Sequence, residues 1–338
     1  MLSLVTGAAG FVGQAVVRRL LADGDDVRGL ALPGDARLAE LRAIAAPPRL
    51  QVIEADVTDA GAVVAHFAGV ARVFHTAALV HSTAPWAAFE AVNVGGTSHV
   101  ARAAFAAGVQ RFVHVSTSDV FGLPRDGAPI DEATPLREWG EPYPDTKIAA
   151  ERFLWAQHRA HGLPLSVIYP CWVYGPGDAA FFPSLAQAIS DGFMLFWRRD
   201  LRLFWVYIDN LADAIVLAGT DPRAIGQGYL VHDALGAEAG PTLQAVCARI
   251  AAQLGKPAPT RHVPYALAYA TAWLAQSLWR TVRLRGAPPM LTNDVKSFGF
   301  DWQLSNAKLR ALGWTPRVSI ADGMDAALAA LRQRLAAQ

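Results

Sequence analysis

The sequence predicts a doubly wound α/β fold, a parallel sheet covered by helices on both faces, and three observations carry that prediction. Short apolar runs recur along the first half of the chain and are too uniformly apolar to alternate between a wet and a dry face. Alanine-rich stretches with helical spacing separate them. A glycine-rich turn joins the first run to the first helical stretch.

Residues 2–6, "LSLVT", form the first run, and "FVGQAVVRRLLADG" carries apolar residues at helical spacing up to a stop at Gly24. Further runs follow at 26–32, 50–56, 71–77, 111–117 and 165–170, with helix-like segments between them at 85–107 and 146–161. Past about residue 171 this rhythm weakens, Gly and Pro thicken the loops, and nine of the ten tryptophans lie beyond residue 138. A doubly wound domain is therefore expected over 1–170. A smaller substrate-binding region over 171–203 and 233–338 would lie at the strand ends, where doubly wound sheets bind ligands. Residues 204–232 contain a strand- and helix-like run expected to return to the main sheet.

With 30 Lys and Arg against 29 Asp and Glu, the chain has no global field to draw it to nucleic acid. A hydrophobic fraction of 53% and a mean hydropathy of +0.22 indicate an ordinary globular chain and exclude pervasive disorder. Cys171 and Cys247 are too few for a disulfide framework. With no arginine-flanked apolar leader ahead of the first strand, a reducing cytoplasmic compartment is expected. His158 and His161 are the only closely spaced histidines and lack further ligands nearby, so no metal site is expected.

Residues 263–279 are free of charge and precede Arg280, Arg283 and Arg285. The stretch is marginal for a bilayer span. Two readings stand: a helix over 263–285 that roofs an apolar pocket or packs on the core, and one that lies at a membrane surface.

The chemistry-bearing motifs begin with "TGAAGFVG", residues 6–13. Gly7 permits a tight turn, Gly10 lets a pyrophosphate approach the backbone, and Gly13 allows close packing, with Phe11 and Val12 opening the helix behind them. "YPDTK", residues 143–147, places a phenol and an ammonium on one helix face. A tyrosine is a poor base near neutrality unless a positive neighbour favours its phenolate, and Lys147 is such a neighbour. Pro144 suits a first helical turn.

With "DVTD" (56–59), "HTAA" (75–78), "NVGGT" (93–97), "VSTSDVFG" (115–122) and "YPCWVYGPGD" (169–178) in the same order, the chain resembles the extended short-chain dehydrogenase/reductases. The resemblance implies a cofactor site of Gly7, Gly10, Phe11, Val12, Gly13, Asp56, Val57, Ala77, Ala78, Asn93, Tyr143, Lys147 and Pro170. It further implies a catalytic set of Thr117, Tyr143 and Lys147, with Lys147 also reaching the nicotinamide ribose. Ser116 and Ser118 flank Thr117, and strand alternation favours Thr117 as the residue facing the substrate. For His75 a structural role is expected, as a buried polar group satisfied internally.

NAD is favoured over NADP, although Ala31, Leu32 and Pro33 stand where the selecting residue is expected and Asp35 and Arg37 pull in opposite directions. The sugar-nucleotide branch carries an asparagine where this chain has Trp172, and an arginine where it has Tyr169. Burying a diphosphate without polar partners is costly, which argues against such a substrate.

Ser118, Trp172 and Phe181 are candidate substrate contacts, in a pocket drawn from Phe181, Phe182, Phe193, Phe196, Trp197, Phe204 and Trp205, with Arg198, Arg199 and Arg202 as charged exceptions. The resemblance is strongest to the 3β-hydroxysteroid and sterol-4α-carboxylate dehydrogenase branch, which implies a small lipophilic alcohol or ketone as substrate. Reduction of non-steroid ketones such as 2-alkyl-3-oxoalkanoates, sugar-nucleotide epimerisation or dehydration, and non-catalytic dinucleotide sensing are the alternatives. Relatives dimerise through helices corresponding to 85–107 and 146–161, so a homodimer is expected.

Overall fold

The computed structural model describes the chain except residues 81–83, 125–128, 198–200, 236–239, 283–290 and 337–338. In chain order its first half comprises β1 (Leu2–Thr6), α1 (Phe11–Ala22), β2 (Asp26–Ala31), α2 (Leu38–Arg42), β3 (Leu50–Glu54), α3 (Ala60–Val64), β4 (Arg72–His75), α4 (Trp86–Phe89), a π-helical turn (Glu90–Gly96), α5 (Thr97–Ala106), β5 (Arg111–Val115), a 3₁₀ turn (Ser118–Phe121) and α6 (Pro142–His161). There follow β6 (Leu165–Pro170), β7 (Trp172–Tyr174), α7 (Phe181–Ser190), β8 (Trp205–Tyr207), α8 (Ile208–Thr220), a 3₁₀ turn (Pro222–Ala224), β9 (Gln227–Val231), α9 (Leu243–Gln253), α10 (Tyr265–Val282), α11 (Thr292–Ser297), α12 (Ala307–Leu312) and α13 (Ile320–Ala336).

Seven strands form one parallel sheet in the order β3-β2-β1-β4-β5-β6-β9. The order reverses between β1 and β4, which opens a crevice at their carboxyl ends. The apolar runs have the expected cause. Every residue of β4 and β6 is buried, because helices cover both faces. One face is closed by α1 and α8 through Val16, Val17, Leu20, Leu211 and Ile215, and the other by α5 and α6 through Val100, Ala104, Ile148 and Leu154.

Residues 204–232 divide between two structures. Strand β8 pairs with β7 as a separate two-stranded sheet, whereas α8 packs on the main sheet and β9 joins its edge. The short pair carries Tyr174, Trp205 and Tyr207 into a third apolar cluster with α7, α9 and α13. Asn210 ties the C-terminal segment to α8: its Oδ1 accepts the N–H groups of Arg317 (2.9 Å) and Val318 (3.0 Å), and its Nδ2 donates to Val318 O at 2.8 Å.

Helix α10 is two-faced. Ala268 and Ala272 pack against Val295 with Trp197, Tyr265 and Tyr269, while Leu267, Trp273, Leu274, Leu278 and Val282 are exposed. Among the described residues no helix is long and apolar enough to cross a membrane. Arg283 and Arg285 lie outside the described residues, as do Arg198 and Arg199.

Candidate active site

The turn after β1 is shaped by two glycines. Gly7 has φ +66°, and a Cβ there would fall 2.7 Å from Ala77 Cα. At Gly13 a Cβ would fall 2.1 Å from Gly7 O, so this glycine serves the turn itself more than the helix-to-sheet contact expected from the sequence. Gly10 is the N-cap of α1 and no side chain caps that helix. The first-turn N–H groups, those of Phe11, Val12 and Gly13, therefore have no intrahelical or side-chain acceptor and suit an anionic pyrophosphate. A dinucleotide fits this cradle.

Around the crevice, Asp56 Oδ1 accepts Thr58 N at 2.9 Å and Val57 is buried. Ala77 and Ala78 line a half-buried loop after β4. Asn93, 1% exposed, sits in the π-helical turn and braces that loop. Its Oδ1 accepts Leu79 N (2.8 Å), and its Nδ2 donates to Leu79 O (3.0 Å) and Thr146 Oγ1 (3.0 Å). His75 is internal: its two ring nitrogens meet the hydroxyls of Thr6 (2.7 Å) and Thr97 (2.8 Å), and burial pushes its pKa down to about 3. At the end of β2, Leu32 is exposed and Asp35 holds Arg37 through two bonds of 3.0 and 2.8 Å, which lowers the Asp35 pKa.

Nearly all of "YPDTK" is in use. Helix α6 starts at Pro142, one residue before the motif. Pro144 is buried, Asp145 accepts the N–H groups of Trp139 (2.8 Å) and Gly140 (2.9 Å), and Thr146 receives Asn93. Lys147, 2% exposed, donates from Nζ to Val115 O at 2.7 Å and lies 3.3 Å from His114 Nε2. Burial pushes its pKa down to about 7, against the opposing charge of Glu151. Burial also raises the Tyr143 phenol well above its ordinary range, and the Asp119 charge adds to this, while a hydrogen bond with the Thr117 hydroxyl lowers it.

The three hydroxyls at the end of β5 separate by direction. Ser116 donates to Glu151 at 3.1 Å, Thr117 Oγ1 accepts Asp119 N at 3.2 Å, and Ser118 is buried. Burial pushes the Asp119 carboxyl up to about 6.

Beyond Pro170, the last residue of β6, Trp172 stacks on Phe298 (ring centroids 4.7 Å apart) and meets Phe181 at 5.0 Å. Trp197 meets Phe298 at 6.3 Å and donates from Nε1 to Val295 O at 3.1 Å. The other aromatic candidates are placed elsewhere. Phe182, Phe196 and Trp205 are in the third core cluster and Phe204 in the first, whereas Phe193 is 77% exposed and Arg202 is exposed. Phe298 was not anticipated from the sequence, and neither was the latch behind it: Lys296 Nζ and Thr292 Oγ1 donate to Glu141, the N-cap of α6, at 2.7 and 3.1 Å.

The chain is similar to known proteins in sequence and fold. A 3β-hydroxysteroid dehydrogenase/Δ5→4-isomerase of Mycobacterium tuberculosis is 36% identical over 68% of this chain, and the match spans 64% of that relative's length. A 4-hydroxy-2-methyl-3-oxo-4-farnesyl-3,4-dihydroquinoline-1-oxide ketoreductase of Stigmatella aurantiaca is 31% identical over 96% of this chain and 95% of its own. The crystal structure of a dTDP-glucose 4,6-dehydratase from Streptomyces venezuelae, with NAD and TYD bound, superposes with a TM-score of 0.78 at 27% identity, covering 99% of this chain and 98% of that one. A profile of the NAD dependent epimerase/dehydratase family matches residues 3–231, and the chain belongs to that family.

Proposed function

We propose that the protein is an NAD-dependent oxidoreductase of a lipophilic secondary alcohol or ketone. The observation that carries the substrate class is the stack of Trp172 on Phe298 and Phe181, at the position where a diphosphate-binding asparagine is expected in sugar-nucleotide enzymes. An aromatic wall favours an apolar ligand by burying its surface and offers nothing to a diphosphate. The match to a ketoreductase named for a farnesylated substrate points the same way.

When bound, the nicotinamide supplies the hydride acceptor or donor. The chain's own residues handle the proton and the oxygen. Thr117 hydrogen-bonds the substrate oxygen, and Tyr143 takes the alcohol proton in oxidation or returns it in reduction. Lys147 favours the phenolate by its charge and meets the cofactor ribose. Asp56 and Val57 meet the adenine, and Ala77 and Ala78 line the channel that Asn93 braces. Exposed Trp86 and Phe105, on α4 and α5, support a homodimer. The exposed apolar residues of α10 support contact with a lipid surface.

Purified protein with NAD or NADP, presented with a 3β-hydroxysteroid, a long-chain hydroxy ketone and UDP-sugars, tests the reading through absorbance of the reduced cofactor and analysis of sugar products. Turnover of the first or second is expected. Turnover of UDP-sugars alone would overturn the substrate class, and dinucleotide binding without any turnover would favour a sensor.

A further inference from the structure

The proposed chemistry leaves the carboxylate of Glu151 unused, although it is 1% exposed and lies four residues beyond Lys147, on the same face of α6. Its Oε1 accepts the Tyr169 hydroxyl at 2.5 Å and Trp155 Nε1 at 3.0 Å, and its Oε2 accepts Ser116 Oγ at 3.1 Å. All three donors are neutral. Strand β6 thus offers this carboxylate a phenol and no cation.

Lys147 has the complementary need. Among the described residues its Nζ meets a carbonyl and an imidazole, and that imidazole, His114, has no partner there for its buried Nδ1. A buried ammonium and a buried carboxylate one turn apart each lower the cost of keeping the other charged, without direct contact. Ser116 makes the carboxylate a mechanical link as well. It lies between Val115, whose carbonyl receives Lys147, and Thr117, at the end of β5.

We propose that Glu151 is a positioning residue that keeps Lys147 protonated and holds the end of β5 so that Thr117 faces the reacting centre. The groups facing this pair are His114 on β5, with His75 stacked behind it on β4, and Tyr169 on β6, while Asp119 in the 3₁₀ turn acts on Tyr143 and Glu132 acts on Tyr169. Both histidines are held neutral by burial, so Glu151, whose own carboxyl is raised by burial and lowered by Lys147, is the charge that opposes the burial shift of Lys147.

The inference rests on the proposed hydride transfer only for what Tyr143 does, and the test reads Lys147 directly. NADH affinity, followed by nucleotide fluorescence from pH 6 to 10, is expected to fall through one ionisation that is absent in Lys147→Met. In Glu151→Gln that ionisation moves down by about one pH unit, the effect of removing one charge a helical turn away. In Glu151→Asp, which keeps the charge, it stays within a few tenths of a unit. Superposition of Glu151→Gln on the wild type, or an equal shift in Glu151→Asp, would overturn the proposal.

A second measurement covers loss of folding. Lys147→Met/Glu151→Gln should melt higher than Lys147→Met, because the stranded carboxylate is gone, and strictly additive losses would overturn the proposal. A wild type that binds NADH and turns over no alcohol would end the hydride-transfer reading and leave both of these results standing.

Discussion

Replacing Asn93 by alanine should separate the scaffold of the site from its chemistry. The side chain is buried and makes three hydrogen bonds, two to the backbone of Leu79 and one to Thr146. Each is worth about 1 kcal/mol net, and a backbone group left buried without a partner adds a further penalty, so the loss should be about 3–4 kcal/mol. For a chain of this length that corresponds to a fall in Tm of roughly 6 °C. The loop after β4 that Asn93 holds contains Ala77, whose backbone closes over Gly7. NADH affinity should therefore drop about tenfold along with stability, the equivalent of about 1.4 kcal/mol of ordering. Thermal unfolding followed by far-UV circular dichroism gives the first number and fluorescence titration the second. An unchanged Tm with unchanged affinity would show that the loop is held by other contacts.

Asp35→Ala should free Arg37 from its bidentate partner and raise affinity for NADP about tenfold relative to NAD, measured as a ratio of dissociation constants; an unchanged ratio would place cofactor selection elsewhere. His75 and His232 are held neutral, with pKa values pushed down by burial to about 3 and about 4. A histidine depressed in the folded state contributes stability above its unfolded value near 6.5 and loses it as pH falls through that value. Urea unfolding at pH 5.5 should therefore show a loss of about 1 kcal/mol per histidine relative to pH 7.5, and equal stabilities would contradict the burial argument. Lys296→Met should raise KM more than it lowers kcat, because it releases α11 from Glu141 at the start of α6 without touching Tyr143; an effect on kcat alone would refute a latch role.

What was legible in the sequence follows from how local its cause is. Strands buried on both faces read as apolar runs, and the glycine turn reads as strand, turn and helix in one continuous stretch, so the main sheet and the turn at its first strand could be located from pattern alone. The pair of Tyr143 and Lys147 is also local, set by one helical turn. Contacts across long separations left no such trace. Phe298 reaches Trp172, and Lys296 reaches Glu141, only once the C-terminal helices fold back over the sheet. Strand β8 was missed as a partner of β7 because three apolar residues read alike in either sheet. Glu151 had a local signal, its spacing from Lys147, but a glutamate on a helix is ordinarily a solvated residue, and only its neighbours Tyr169, Trp155 and Ser116 show otherwise.

The central claim is that Tyr143 moves the proton while the rest of the chain binds and orients. Its most direct test is Tyr143→Phe, assayed with a substrate the wild type turns over and, in parallel, for NADH affinity. Removing one hydroxyl should abolish turnover, by about a thousandfold or more, and leave affinity within a few-fold. Turnover near the wild-type rate would contradict the account.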